Sequence, residues 1–197
     1  MRKLLIIIFY VAFFIGCGNR TLQNTPKLCE QCVIDENGSY TAKTLVEMTK
    51  ANSIKSLQPL DSIHKLLVSK CTGISERNSF YFFSYDASRD LYSVIIEEDY
   101  STSLFLLAFD SNTVKQCFLV AATGGDGGDA YEVSSQFKID TLLKTEKITS
   151  VFINPETDDF TDSLRVDSLN TSYLFDKNKT LKTLHSDSSA YIRKWKQ

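Results

Sequence analysis

Cys29 and Cys32 stand in a Cys-Glu-Gln-Cys spacing, and Cys71 and Cys117 lie further along the chain. Thiols at i and i+3 suit three chemistries: a redox pair, part of a metal site, or structural cross-links. A redox pair belongs after a buried strand and at the opening of a helix. Here the preceding residues are polar, and Val33-Ile34-Asp35-Glu36-Asn37-Gly38 reads as a strand end entering a turn. Haem attachment needs His at position 33, where Val33 stands. A zinc site joining Cys32 to Cys71, Cys117 or His64 would span far more chain than a zinc ribbon does. Structural disulfides are the favoured reading. Four cysteines allow three pairings, and bridges from Cys29 and Cys32 to Cys71 and Cys117 would staple the N-terminal strip to a helix end and to a sheet.

The second unusual stretch is Gly124-Gly125-Asp126-Gly127-Gly128-Asp129-Ala130-Tyr131-Glu132. Letter for letter it fits the calcium-binding nonapeptide GGxGxDxUx, in which Asp126, Asp129 and Glu132 would be hard-oxygen ligands. That motif works by stacking successive copies, and there is one copy here. Four glycines between two strand-like segments also suit a wide, irregular hairpin loop that needs positive φ angles, which is the favoured reading. The carboxylate groups Glu97-Glu98-Asp99 and Asp158-Asp159 with Asp162 are read as solvated charges at strand ends rather than a glycosidase pair. His64 and His185 are far apart in sequence, and neither HExxH nor GxSxG occurs. No catalytic residue is assigned and no cofactor is expected.

The N-terminus addresses the compartment. Arg2 and Lys3 precede an apolar run from Leu4 to Ile15 that stops at Gly16-Cys17-Gly18, the three-part layout of a secretory signal. Twelve helical residues span only about 18 Å of a hydrocarbon core roughly 30 Å thick. Phe14-Ile15-Gly16-Cys17 resembles the lipobox of bacterial lipoprotein precursors, although that family usually has Leu where Phe14 stands and a smaller residue than Ile15. The resemblance implies cleavage before Cys17, a diacylglyceryl group on its thiol and acylation of its new amino group. Several acyl chains, at about 0.8 kcal/mol per buried methylene, give stable anchoring. The expected division is a signal peptide over residues 1–16, a lipidated Cys17 with a polar tether over 17–28, and one domain over 29–197. The expected place is the bacterial cell envelope, with Gly18 after the cysteine leaning towards the outer membrane, where disulfides persist.

Without residues 1–16 the chain has 20 basic and 24 acidic side chains, which argues against a general nucleic-acid binder. Residues 86–176 are strongly acidic and residues 177–197 basic, and the tail is expected to pack beside the acidic sheet. Three functions are carried forward: a non-enzymatic envelope lipoprotein that binds a protein or glycan, an inhibitor or protective lipoprotein acting on a basic partner, and a carboxylate-based hydrolase. The first is preferred because no catalytic signature is present.

The elements that must position these groups follow from periodicity. From Thr41 to Lys70 apolar residues recur at three- or four-residue steps, broken at Pro59, with Asp61 placed to cap a second helical segment. One or two short helices are predicted. Beyond Asn78 the chain turns to short segments rich in aromatic and β-branched residues: 79–85, 91–97, 102–109, 114–123, 131–139, 148–153, 164–169, 172–175, 180–184 and 190–195. Asp86, Asp110 and Asp176 each follow an aromatic strand end and are placed to bond the backbone two residues on. Phe80-Tyr81-Phe82-Phe83 reads as a strand covered on both faces. The predicted fold is mainly β, an antiparallel meander or β-sandwich with one or two short N-terminal helices.

Overall fold

The computed structural model describes residues 38–110, 113–126, 128–153, 156–157 and 159–194; the signal, the lipobox with Cys17, the tether, Cys29 and Cys32 lie outside them. Helix α1 (Ala42–Lys50) begins at Thr41, whose hydroxyl accepts from the Thr44 amide at 3.1 Å. Helix α2 (Ser62–Thr72) begins at Asp61, whose carboxylate accepts from the Ile63 and His64 amides at 3.0 and 2.9 Å. These side chains satisfy amides that have no partner in a first turn, an effect of about 1 kcal/mol each. Gly73 closes α2 in the left-handed region at φ 76°, a position that suits a residue without Cβ. The His64 ring lies against that capping carboxylate, its Nδ1 2.7 Å from Asp61 Oδ2.

The described residues form ten strands, of which all but the first make up a meander: β1 (Ser39–Tyr40), β2 (Gln58–Pro59), β3 (Ser79–Asp86), β4 (Leu91–Glu97), β5 (Ser101–Asp110), β6 (Thr113–Asp126), β7 (Asp129–Lys138), β8 (Thr141–Ile153), β9 (Phe160–Phe175) and β10 (Leu181–Lys194). From β2 to β10 each strand pairs antiparallel with the next. The pairing of β6 with β7 covers only Ala122–Asp126 against Asp129–Val133. Beyond it the strands part, and β1 takes the freed edge of β7 at Ser135 and Gln136. The sheet thus folds over along this seam.

Folding over creates two cores. One face of β3–β6 contributes Phe83, Leu91, Ile95, Leu104, Leu106 and Val120 to a cluster shared with Leu45 of α1 and with Phe137 and Leu142 from the other half-sheet. The opposite face contributes Phe80, Val94, Ile96, Phe105 and Leu107, which pack with Val68 of α2. Strands β4 and β5 are therefore apolar on both sides, which explains their near-continuous hydrophobic runs. The aromatic stretch in β3 divides between the two faces, with Phe80, Phe82 and Phe83 buried.

The turns at one end hold the halves together. Arg89 pairs with Asp86 at 2.8 Å, donates to the Ile139 carbonyl at 3.2 Å and lies 4.4 Å from the Phe137 ring centre. Lys179 pairs with Asp90, and Lys115 donates to the Asn178 carbonyl at 3.2 Å. Two of the expected Asp turns form: Asp86 accepts from the Ser88 amide and Asp176 from the Asn178 amide, both at 2.9 Å. Residues 111–112, after Asp110, lie outside the described residues. Hydrogen bonds from Thr180, supported by Lys182 and the Asn178 amide, hold the Asp176 carboxyl down at about 2. Its folded pKa lies below its unfolded one, so the turn's stabilisation is present above the ordinary carboxylate range and lost as pH falls through about 2. A carboxyl-carbon NMR titration should place its midpoint near 2; a midpoint in the ordinary range, about 4, would mean that these contacts are not held in solution.

Candidate functional site

Strands β8, β9 and β10 are 13, 16 and 14 residues long, whereas β3, β4 and β5 have 8, 7 and 10, and β6, with 14, runs past them into the seam with β7. The longer strands overhang the half-sheet that covers them. On the core-facing side, alternation places Phe137, Leu142, Tyr173 and Phe175 under that cover. Along the same face, past its edge, lie Tyr131, Glu146, Ile148, Asp167, Leu169 and Ser188, lining a cleft of about 320 Å³. The register builds this row, because Tyr131 stands opposite Ile148, Ile148 opposite Asp167, and Leu169 opposite both Glu146 and Ser188.

The cleft floor is apolar and exposed: Ile148 keeps 47% of its surface and Leu169 38%. Its polar groups are matched within single strands. Glu146 accepts from Lys144 Nζ at 2.7 Å, two residues along the same strand face. Asp167 accepts from Arg165 Nε and Nη2 at 2.9 and 3.0 Å by the same two-residue spacing. Burial first, and the Glu146 carboxylate second, push the Tyr131 phenol up to about 12, so its hydroxyl stays a donor, lying 3.4 Å from Glu146. An apolar floor edged by hydroxyls and by charge-matched acids can hold a ligand through contact and hydrogen bonding. Acids already occupied by a neighbouring cation are poorly placed to serve as a proton-shuttling pair.

The residues singled out in the sequence lie elsewhere. Asp126 and Asp129 face each other across the tight β6–β7 hairpin, with only residues 127–128 between them. This is a close ladder, not the wide, irregular loop expected. Alternation sends Glu132, three residues past Asp129, to the opposite sheet face, where it pairs with Lys147 at 3.6 Å. The three acids do not converge, and among the described residues no group of three or more His, Cys, Asp and Glu is arranged to hold a metal ion. Gly128 takes the expected positive φ, at 118°, while Gly124 and Gly125 answer to crowding. A Cβ on Gly125 would lie 2.2 Å from the Asp129 carbonyl oxygen, and one on Gly124 would lie 2.8 Å from Ser101 Cβ.

Of the three pairings that four cysteines leave open, the structure joins Cys71 to Cys117, with Cα atoms 6.1 Å apart, rather than tying either to Cys29 or Cys32 as the staple would have done. The last turn of α2 lies over β6, and this packing brings the two thiols within disulfide reach. Neither Glu97–Asp99, at the β4–β5 turn, nor Asp159 and Asp162, at the start of β9, lines the cleft, and Asp158 lies outside the described residues.

No protein family, curated protein or solved structure matches this chain.

Proposed function

We propose that this chain is a lipid-anchored lipoprotein of the bacterial cell envelope, held by Cys17, whose β domain binds a protein or glycan without catalysing a reaction. The observation that carries the reading is the overhanging cleft, where Ile148 and Leu169 stay exposed beside Ser188 and Tyr131 while Glu146 and Asp167 are ion-paired. Neighbouring exposed apolar side chains edged by hydroxyls and matched charges support a contact surface that a ligand can cover. A tether of residues 17–28 would give the domain up to roughly 40 Å of reach from the lipid surface, and the outer membrane is the preferred location.

In the acidic middle of the chain, the acids that edge the cleft and Asp86, Asp90 and Asp176 in the turns are matched by cations, two of them, Lys179 and Lys182, from the basic tail. Asp86, Asp90, Glu132, Glu146, Asp167 and Asp176 all have basic partners. That favours a contact surface over an acidic mimic of some basic target.

The test is co-sedimentation of the full chain with isolated peptidoglycan sacculi and, separately, capture from solubilised envelopes, each run beside Leu169→Arg. Leu169 is more than one-third exposed, so the variant should fold, and binding is expected to fall at least tenfold. Retention by sacculi would assign a glycan, and retention of a discrete envelope protein would assign a protein. Binding that Leu169→Arg leaves unchanged, or no binding in either format, would overturn the cleft as the site. Intact mass of the membrane-extracted chain tests the anchor separately, and an unlipidated Cys17 would overturn that half of the reading.

A further inference from the structure

Strand β10 is the end of the sheet, and among the described residues no strand pairs with its outer edge. All of it from Lys182 to Lys194 is exposed. An open edge of this length displays a row of unpaired amides and carbonyls, which sheet proteins normally cover or shorten. Its backbone is nevertheless regular. Past the irregularity between Thr183 and His185, the segment His185–Lys194 runs in unbroken register against Ser172–Ser163.

We propose that a second copy of this chain covers that edge, two β10 strands pairing antiparallel about a two-fold axis at Ala190. The edge is self-complementary. In an antiparallel pair, residues directly opposite share a face, so residues that share a face in one strand can meet across the axis. Asp187 and Arg193 are an even number of residues apart in the regular run and share a face, whereas Lys194 belongs to the other. Centring on Ala190 sets Asp187 of each copy opposite Arg193 of the other, giving two symmetric ion pairs. It also sets Tyr191, 49% exposed, beside Ser189, and Ile192, 54% exposed, beside Ser188. Moving the axis one residue back, to Ser189, opposes His185 to Arg193 and loses the Asp187 pairs; moving it forward, to Tyr191, carries Asp187 past Lys194. The charges thus select one register.

The pairing also bears on the cleft, and in this respect it rests on the proposed function. Ser188 lines the cleft, and Ile192 of the second copy would stand beside it on the same face. The dimer extends the apolar floor across the two-fold axis, so two clefts become one longer surface, a closed isologous assembly rather than an open stack of sheets.

Cysteine cross-linking in membranes of cells producing the full chain tests it. Residue 190 meets its own copy at the axis, so Ala190→Cys, treated with a short bismaleimide, should give a covalent dimer well above the wild-type background. Adding Asp187→Arg should cut that yield at least tenfold by opposing two arginines, and Asp187→Arg with Arg193→Asp should restore it. All three positions are exposed, so folding is not at stake, and thermal melts check this. No dimer above background, a dimer insensitive to Asp187→Arg, or no rescue by the double reversal would overturn the proposal. So would cross-linking only to a different protein, which would give the edge to a heterologous strand. Leu169→Arg should leave the cross-link intact, so failure of the cleft reading and failure of the dimer are distinguishable.

Discussion

Gly125→Ala is expected to destabilise the domain by about 3 kcal/mol or more, lowering the melting temperature by roughly 6–12 °C for a chain of this size. The added Cβ would stand 2.2 Å from the Asp129 carbonyl oxygen, and that oxygen belongs to the backbone, so no side chain can swing away to relieve it. The position matters because β6 and β7 pair only between Ala122 and Val133. Forcing this short ladder open separates the two half-sheets at the seam where they fold over, and it displaces Tyr131, the partner of Gly124 and a wall of the cleft. The Gly125 amide also donates to the Tyr100 carbonyl at 3.2 Å, so a third strand end is tied to the same point. Gly73→Ala is the comparison. Its Cβ would meet nothing within 4 Å, and its cost comes from a φ of 76° alone, about 1 kcal/mol. Thermal melts of both variants decide the matter. Equal losses would mean that the crowding at Gly125 relaxes and that the glycines of this hairpin serve backbone conformation only.

The fate of the Gly-Asp stretch shows what a sequence pattern leaves open. Nine residues match a metal motif, yet whether three acids converge depends on which sheet face each occupies, and that is set by hairpin register. The helices are more legible. Asp61 and Thr41 are local caps, so α1 and α2 fall inside the predicted 41–70 interval apart from the last two residues of α2, although α1 ends at Lys50, before Asn52 at φ 54°, and not at Pro59, which lies in β2. Strand β4 has the predicted limits, Leu91–Glu97, because turns bound an apolar run on both sides. Strands β9 and β10 each look like two pieces in the sequence, broken at Asn170-Thr171 and at Ser186-Asp187-Ser188-Ser189, where polar residues suggest loops. Strand β10 is exposed from Lys182 to Lys194, so side-chain polarity carries little information there, whereas β9 sets the buried Val166 and Thr171 among more exposed residues; in both, the backbone ladder carries the strand across the polar residues. The cleft is illegible for the same reason: Tyr131, Glu146, Ile148, Asp167, Leu169 and Ser188 come from four strands, and only the register aligns them. The one signal for it is the i,i+2 spacing of Lys144 with Glu146 and of Arg165 with Asp167, which places each pair on one strand face.

Removing the Cys71–Cys117 bond should have the largest effect of any change at a cysteine. The bond closes a separation of 46 residues, and the chain-entropy relation gives roughly 4 kcal/mol for a loop of that length. Cys71→Ala with Cys117→Ala is therefore expected to lower the melting temperature by about 8–16 °C. Alanine is the appropriate replacement because Cys117 packs against the apolar cluster beneath α2, where a serine hydroxyl would add a desolvation cost of its own. The same bond narrows the remaining chemistry. Four cysteines outside the lipobox admit three pairings, and with Cys71 joined to Cys117 only the Cys29–Cys32 pairing is left within one chain. Non-reducing peptide mapping should accordingly find Cys71 linked to Cys117 and Cys29 linked to Cys32. Reduction of the wild type should then cost little more than the double alanine variant, because a bridge between residues 29 and 32 closes a very short loop. A peptide joining Cys29 or Cys32 to Cys71 or Cys117 would mean that α2 is not fastened to β6 in the native protein. A double variant that melts with the wild type would mean that packing of Val68 against Phe80, Val94 and Leu107 holds α2 in place without the bond.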